Sequence, residues 1–289
     1  MNKCDGVKVV VFTYDRWDSA TTPKILREAG IHHKVVCHTE ESARKYLSCG
    51  TVQDGDILVS GVEKGLANNR NWYVRNHLND GDAVLMLVDD IYKFTVLDQY
   101  AEYSRRGSIP VSTGNSTEWS RKFRTVCGAN EFMQMAVETL AHGDAVGASV
   151  CGFAGFDNPL FRKNKWKRNA LADGRAWIMR WRGIEFDPQA QMIDDVAYCA
   201  RNIACGFQIL VNQWLLPHAR RYTDGAYGSI EQRMPQRMAE CKYLVGKYPH
   251  MIQYAQKAGW PSGGHIRLKH LSDERWANAY AWHKKRKYT

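Results

Sequence analysis

The sequence predicts an α/β protein with a mainly parallel central sheet flanked by helices, followed by a basic helical extension at its C-terminal end. Three observations carry this expectation. Short apolar, β-branched runs alternate with helix-length segments through the first ninety residues. Polar clusters fall where those runs stop, which is where an open parallel sheet places its ligand crevice. A chain of 289 residues is also long enough to bury a full core without a disulfide or metal staple.

Taken in order, Val7 to Thr13 reads as a strand and Tyr14 to Thr22 as a loop. Pro23 opens a helix near its first turn and Gly30 closes it. Val35-Val36-Cys37 is a second strand, Glu40 to Leu47 a helix, and Asp56 to Ser60 a third strand. Gly65 to Leu78 reads as a turn and then a helix, and Asn79-Asp80-Gly81-Asp82 returns the chain to the apolar run Ala83 to Val88, which ends at Asp89-Asp90. From about Tyr92 to Gly147 the pattern is weaker. Ala129 to His142 has helical period with Phe132, Met133, Ala136, Val137 and Leu140 apolar, and Ile109 to Thr117 reads as a polar loop able to close over a ligand. Ala176 to Trp181 is strand-like and Phe186-Asp187-Pro188 a turn. Asp194-Asp195 then leads into a helix that ends near Gly206, with extended segments at Phe207 to Val211 and Asn212 to His218. With no repeat or low-complexity linker, residues 1–220 are expected to form one domain and 221–289 the basic extension packed on it.

The eight cysteines are scattered, without a zinc-like spacing, as in a reduced cytoplasmic chain. No run approaches the ~18 apolar residues of a membrane helix, and no signal stretch is apparent, so the expectation is a soluble protein without a membrane partner. Net charge is +10 and uneven. Arg162, Lys163, Lys165, Lys167, Arg168, Arg175, Arg180 and Arg182 face one acid, Asp173, and are interleaved with Trp166, Trp177 and Trp181. The chain closes on Lys284-Lys285-Arg286-Lys287. Cations mixed with aromatics suit a nucleic acid, whose backbone meets the charges and whose bases stack on the rings; a solvated basic face is the other reading.

Two acidic pairs stand out. Asp89-Asp90, at the end of a buried strand, is a hard-oxygen site suited to Mg²⁺ or Mn²⁺, although Asp is also a common turn residue. Asp194-Asp195 starts a helix, where an N-cap and a first-turn acid are favourable with no catalytic role.

The Gly65-Leu66-Ala67-Asn68-Asn69-Arg70-Asn71-Trp72 loop before a strand ending in Val88-Asp89-Asp90, with a later acidic pair opening a helix, resembles the GT-A class of nucleotide-sugar glycosyltransferases. The Thr13-Tyr14-Asp15-Arg16 loop and the basic, tryptophan-rich second half narrow the resemblance to the TET/JBP-associated glycosyltransferases, a largely phage-encoded branch. The GT-A resemblance covers roughly residues 5–220. The narrower one implies a GT-A-like fold, a nucleotide-sugar donor (UDP-sugar in the first instance) and hydroxymethylated pyrimidine in DNA as acceptor, acting in the cytoplasm of a host cell if the gene is a phage's. The implied donor site is Thr13, Tyr14, Arg16, Arg70, Asn71 and Asp89, with Mn²⁺ or Mg²⁺ on Asp90, Asp89 and His218. Arg16 and Arg70 could equally be structural ion-pair partners, and His218 a surface or capping residue. Many relatives carry Asp-x-Asp or three consecutive acids, whereas Ile91 follows the pair here, so which carboxylate meets metal and which meets ribose stays open.

In such an enzyme the cation neutralises the departing nucleoside diphosphate, and an inverting mechanism needs a carboxylate within reach of the acceptor hydroxyl. Asp195 is the candidate base, with Asp194 orienting the acceptor or supporting the base; retention of configuration is the alternative stereochemistry. Arg162, Lys163, Lys165, Trp166, Lys167 and Arg168 are the candidate DNA contacts. A small-molecule or glycan acceptor, a metal-dependent nucleotidyltransferase and a DNA-binding protein without catalysis are the competing classes. The last leaves two acidic clusters repelling phosphate.

Overall fold

The computed structural model describes residues 6–13, 15–53, 55–97, 125–155, 165–220, 230–256, 261–269 and 281. Tyr14, Arg162, Lys163, the Ile109 to Thr117 loop and the Lys284 to Lys287 run lie outside the described residues. Among those described, the strands are β1 (Val7–Phe12), β2 (Lys34–Cys37), β3 (Ile57–Val59), β4 (Ala83–Val88), β5 (Ile91–Val96), β6 (Thr125–Cys127), β7 (Ala148–Phe153), β8 (Trp166–Arg168), β9 (Ala176–Arg180), β10 (Gln208–Asn212), β11 (Leu215–Ala219), β12 (Ile252–Tyr254) and β13 (Ile266–Leu268). The helices are α1 (Thr22–Glu28), α2 (Glu40–Ser48), α3 (Leu66–His77), α4 (Ala129–Ala145), α5 (Asp194–Ala204) and α6 (Ile230–Lys247).

Eight strands form one sheet in the order β3-β2-β1-β4-β9-β7-β10-β8. The sheet is mixed, which corrects the mainly parallel sheet expected from sequence. β3, β2, β1 and β4 run parallel, as do β7 and β10, but β9 is antiparallel to both neighbours and β8 to β10. The cause is where the chain re-enters. A parallel neighbour needs a crossover, usually a helix. β9 instead starts at the edge where β7 ends, Val88 N–H donating to the Arg175 carbonyl at 3.0 Å just before it, so it can only run back.

Two apolar layers flank the sheet because strand side chains alternate. Val10, Phe12, Val84, Met86, Trp177 and Met179 join α3, α5 and α6 on one face, whereas Val9, Val11, Leu85, Leu87 and Ile178 join Leu26, Tyr46, Phe132 and Leu140 on the other. α6 contributes Cys241 and Leu244 to the first layer, together with Ile252 of β12 and Ile266 of β13. The C-terminal part is therefore not helical throughout. It carries a β12-β13 antiparallel pair and shares the central core. No helix among the described residues is long and apolar enough to cross a membrane.

Candidate functional site at the strand ends

Register aligns the strand ends: Phe12 pairs with Val88, Leu87 with Ala176, Gly152 with Trp177 and Phe153 with Asn212. Both acidic pairs, the Asp15-Arg16 loop and the Asp173-Gly174-Arg175 loop lie along this edge.

Asp89 and Asp90 form the two-residue turn that passes the chain from β4 to β5, the central strand of a small β11-β5-β6 sheet. The start of α1 holds the turn by its backbone. Thr21 and Thr22 N–H groups donate to the Asp89 carbonyl at 2.9 and 3.0 Å, and Thr22 Oγ1 donates to the Val88 carbonyl at 2.6 Å and accepts from Ile91 N–H at 2.8 Å. Both carboxylates are buried, and one guanidinium serves both: Arg16 Nη2 lies 2.6 Å from Asp89 Oδ1 and Nη1 lies 2.6 Å from Asp90 Oδ2. Asp15 stands at φ 52°, a left-handed turn that Asp tolerates and that aims Arg16 inward. The Tyr46 hydroxyl, on the last turn of α2, donates to Asp89 at 3.2 Å. Burial raises its phenol, as does Asp89, so it stays a donor. Burial also pushes the Asp90 carboxyl above its ordinary range, against the pull of Arg16.

The second pair is built differently. Asp194, the first residue of α5, is ion-paired to Arg70, and Arg70 is fully buried. The guanidinium lies 4.4 Å from the Trp177 ring, 5.4 Å from Phe186 and 5.7 Å from Phe12, and its Nη2 donates to the Gly174 carbonyl at 2.7 Å. Asp195 carries no ion pair among the described residues. Its Oδ1 accepts from Val196 N–H at 2.8 Å, and it retains partial exposure. Burial, then the neighbouring Asp194 and Asp173, push its carboxyl up to about 7.

Between the pairs lies a loop that sequence reading passed over. Arg175 grips Asp173 through Nε to Oδ1 at 2.6 Å and Nη2 to Oδ2 at 3.1 Å, and it donates to the carbonyls of Gly155 and Pro217. A side chain at Gly155 would meet Asp173 Oδ2 at 2.8 Å, and one at Gly174 would meet Asp195 Cβ at 3.2 Å. Neither glycine has a positive φ, and a side chain at either position would need its neighbouring Asp to give way. Asp173 and Arg175 looked like members of a basic stretch. The signal available was Ala-Asp-Gly-Arg, a turn sequence just before a strand.

Several expected site residues are committed elsewhere. Thr13 is buried and its hydroxyl donates to the Val36 carbonyl at 3.1 Å, so it does not line an open base pocket. Asn71 spends both ends of its amide on Phe186: Nδ2 donates to its carbonyl at 3.0 Å, and Oδ1 accepts from its N–H at 2.6 Å. Arg70 has no surface to offer a phosphate. His218 sits on β11 opposite Lys93, with Nε2 2.8 Å from Thr95 Oγ1, and is not brought together with Asp89 and Asp90. Among the described residues no group of three or more His, Cys, Asp or Glu is arranged to hold a metal.

Two carboxylates nevertheless fit a hard cation in donor chemistry. Five Asp side chains (89, 90, 173, 194 and 195) share the edge with three guanidiniums, Arg16, Arg70 and Arg175, which ion-pair four of them and leave Asp195 out. Mg²⁺ is commonly held by one or two carboxylates, with water and substrate phosphate completing its shell.

Of the candidate DNA contacts, Lys167 and Arg168 are exposed on the edge strand β8. Trp166 is half-buried and stacked on His142 at 4.4 Å, with Lys165 Nζ 5.0 Å from its ring. Trp177 is core, Arg175 is spent on Asp173, and Arg180 pairs with Asp144 at 2.8 Å. No protein-family model matches the chain, and a search of curated proteins found no match to it.

Proposed function

We propose that this chain is a glycosyltransferase that moves a sugar from a nucleotide-sugar donor to a hydroxymethylated pyrimidine in DNA. The observation that carries the reading is the presence on one sheet edge of two unlike acidic sites: the Arg16-bound Asp89-Asp90 turn, and a partly exposed Asp195 that is in no ion pair among the described residues. The first suits the donor. Asp90 and Asp89 would hold a divalent ion, which when bound supplies neutralisation of the leaving diphosphate. The second suits the acceptor. Asp195, poised near neutrality, is a base able to take the hydroxyl proton as oxygen attacks the sugar carbon. Arg16 is the quarter-exposed cation of the donor side, and a guanidinium pairs with phosphate as well as with carboxylate. The acceptor class is supported by the net charge of +10 and by Lys167 and Arg168 on an exposed strand.

The test is incubation of duplex DNA containing 5-hydroxymethylcytosine or 5-hydroxymethyluracil with a panel of UDP-sugars and Mn²⁺, read by mass spectrometry of the digested nucleosides. The reading expects a hexose or pentose increment and release of nucleoside diphosphate. Release of sugar 1-phosphate with a uridylyl increment on the DNA would identify a nucleotidyltransferase instead, and transfer confined to free sugars would move the acceptor to small molecules.

A further inference from the structure

Among the described residues Arg70 is the largest charged side chain buried completely, and it does not reach the surface. Burying a guanidinium is costly unless its hydrogen bonds and charge are met. Here the charge and the two Nη groups are met by groups that border Asp195, while Nε is buried without a hydrogen-bond partner. Asp194, its sequence neighbour, takes the charge; the Gly174 carbonyl takes Nη2; and Gly174 packs on Asp195, where an added Cβ would stand 3.2 Å from Asp195 Cβ and 3.8 Å from Arg70 Nη1. Trp177, Phe186 and Phe12 leave the guanidinium little freedom. Trp177 is further fixed by its indole N–H donating to the Ala172 carbonyl at 3.0 Å, at the other end of the same loop.

We propose that Arg70 is a positioning residue that joins the start of α5 to the Asp173-Gly174-Arg175 loop and thereby fixes where the Asp195 carboxylate stands. This rests on the reading of Asp195 as the base, and it assigns Asp194 to the scaffold instead of the acceptor. Rigid aim matters because a displacement of about 1 Å at a catalytic group can lower a rate by about a hundredfold. Both the fork of Arg70 and its charge take part, and they are separable. A lysine keeps the charge but cannot reach Asp194 and Gly174 in one plane.

Two variants separate these roles. R70K should stay folded, bind UDP-sugar like the parent, and turn over about tenfold or more slowly. Arg70→Gln combined with Asp194→Asn removes both charges, so no unpaired ion is left in the core. It should also bind donor and turn over slowly, and the Asp195 carboxyl, followed by ¹³C NMR of labelled aspartate and assigned with Asp195→Asn, should titrate about one unit lower because a neighbouring negative charge is gone. A merely structural Arg70 would lower the melting temperature and leave both the turnover and the Asp195 titration of R70K, which keeps every charge, where they were in the parent. Parent-like turnover together with an unmoved Asp195 titration in R70K would overturn the proposal. If Asp195→Asn itself transfers sugar at the parental rate, the base reading fails, and the Asp195 titration of R70K still decides whether Arg70 fixes the place of that carboxylate.

Discussion

The same dipeptide, Asp-Asp, occurs twice on one sheet edge and is solved in two ways. At the β4–β5 turn a single partly exposed arginine bridges both carboxylates. At the start of α5 a fully buried arginine takes only the first, leaving the second with a helix N–H and with two like charges that outweigh the pull of Arg237. Sequence identity therefore says little about the charge state of an acidic pair. What decides it is where the nearest guanidinium comes from: Arg16 from an adjacent loop, a quarter exposed, and Arg70 from the interior of α3, held among rings. The first arrangement suits a site that exchanges partners with a ligand, and the second suits a carboxylate kept ready to accept a proton.

The sharpest way to break this comparison is at Asp195. Replacing it by Asn should lower turnover by roughly a hundredfold or more, because a general base acts in the transition state. Next comes Arg16. If it competes with a cation for Asp89 and Asp90, Arg16→Met should tighten Mn²⁺ binding by at least about tenfold in calorimetry, and equal affinity in the two proteins would show that the guanidinium and the metal do not share the carboxylates.

The acidity of Asp195 gives a third test, with a sign that can be worked out. Its carboxyl titrates near 7 when folded, against an ordinary value of 3.8, so the folded state holds the proton more tightly than the unfolded one. Its contribution to stability is fully present below the ordinary value and is lost as pH rises through about 7, while the fraction of active base rises over the same range. Activity should therefore fall below about pH 7 with a slope of one. At pH 8, Asp195→Asn should be more stable than the parent, on the order of 1–3 kcal/mol, and a melting temperature unchanged between the two would contradict the burial of that charge. The smallest effect is expected at the exposed basic strand. Neutralising Lys167 and Arg168 together should shallow the salt dependence of DNA binding by about two units on a log-log plot.

The alternation of apolar runs and helices made much of the fold legible before the structure: β1 to β4, α1 to α5 and the extended segments near β10 and β11 fall close to where periodicity puts them. The small sheet and the direction of β9 were not legible, because a strand's direction depends on the edge from which the chain re-enters and not on its composition. At the site, the residue types were visible but their commitments were not. Asn71 and Arg70 look like ligand-binding side chains in a polar loop, and they turn out to face inward because α3 packs that side against Phe186 and Trp177. The tryptophans of the basic stretch look like base-stacking groups, and Trp177 instead forms the wall around Arg70. Asp173 and Arg175 were hidden by their mutual pairing, a contact between near neighbours that reads in sequence only as one acid among many bases.

The central claim is that the two acidic pairs divide the labour, the first serving the donor and the second the acceptor. Its most direct test is to measure UDP-sugar affinity and turnover side by side in Asp90→Asn and Asp195→Asn, in the presence of Mn²⁺. The division predicts that Asp90→Asn loses roughly a hundredfold in donor affinity along with its activity, whereas Asp195→Asn binds donor like the parent and fails only in transfer. Equal loss of donor affinity in both variants would mean that the two pairs form one site, and the division would not stand.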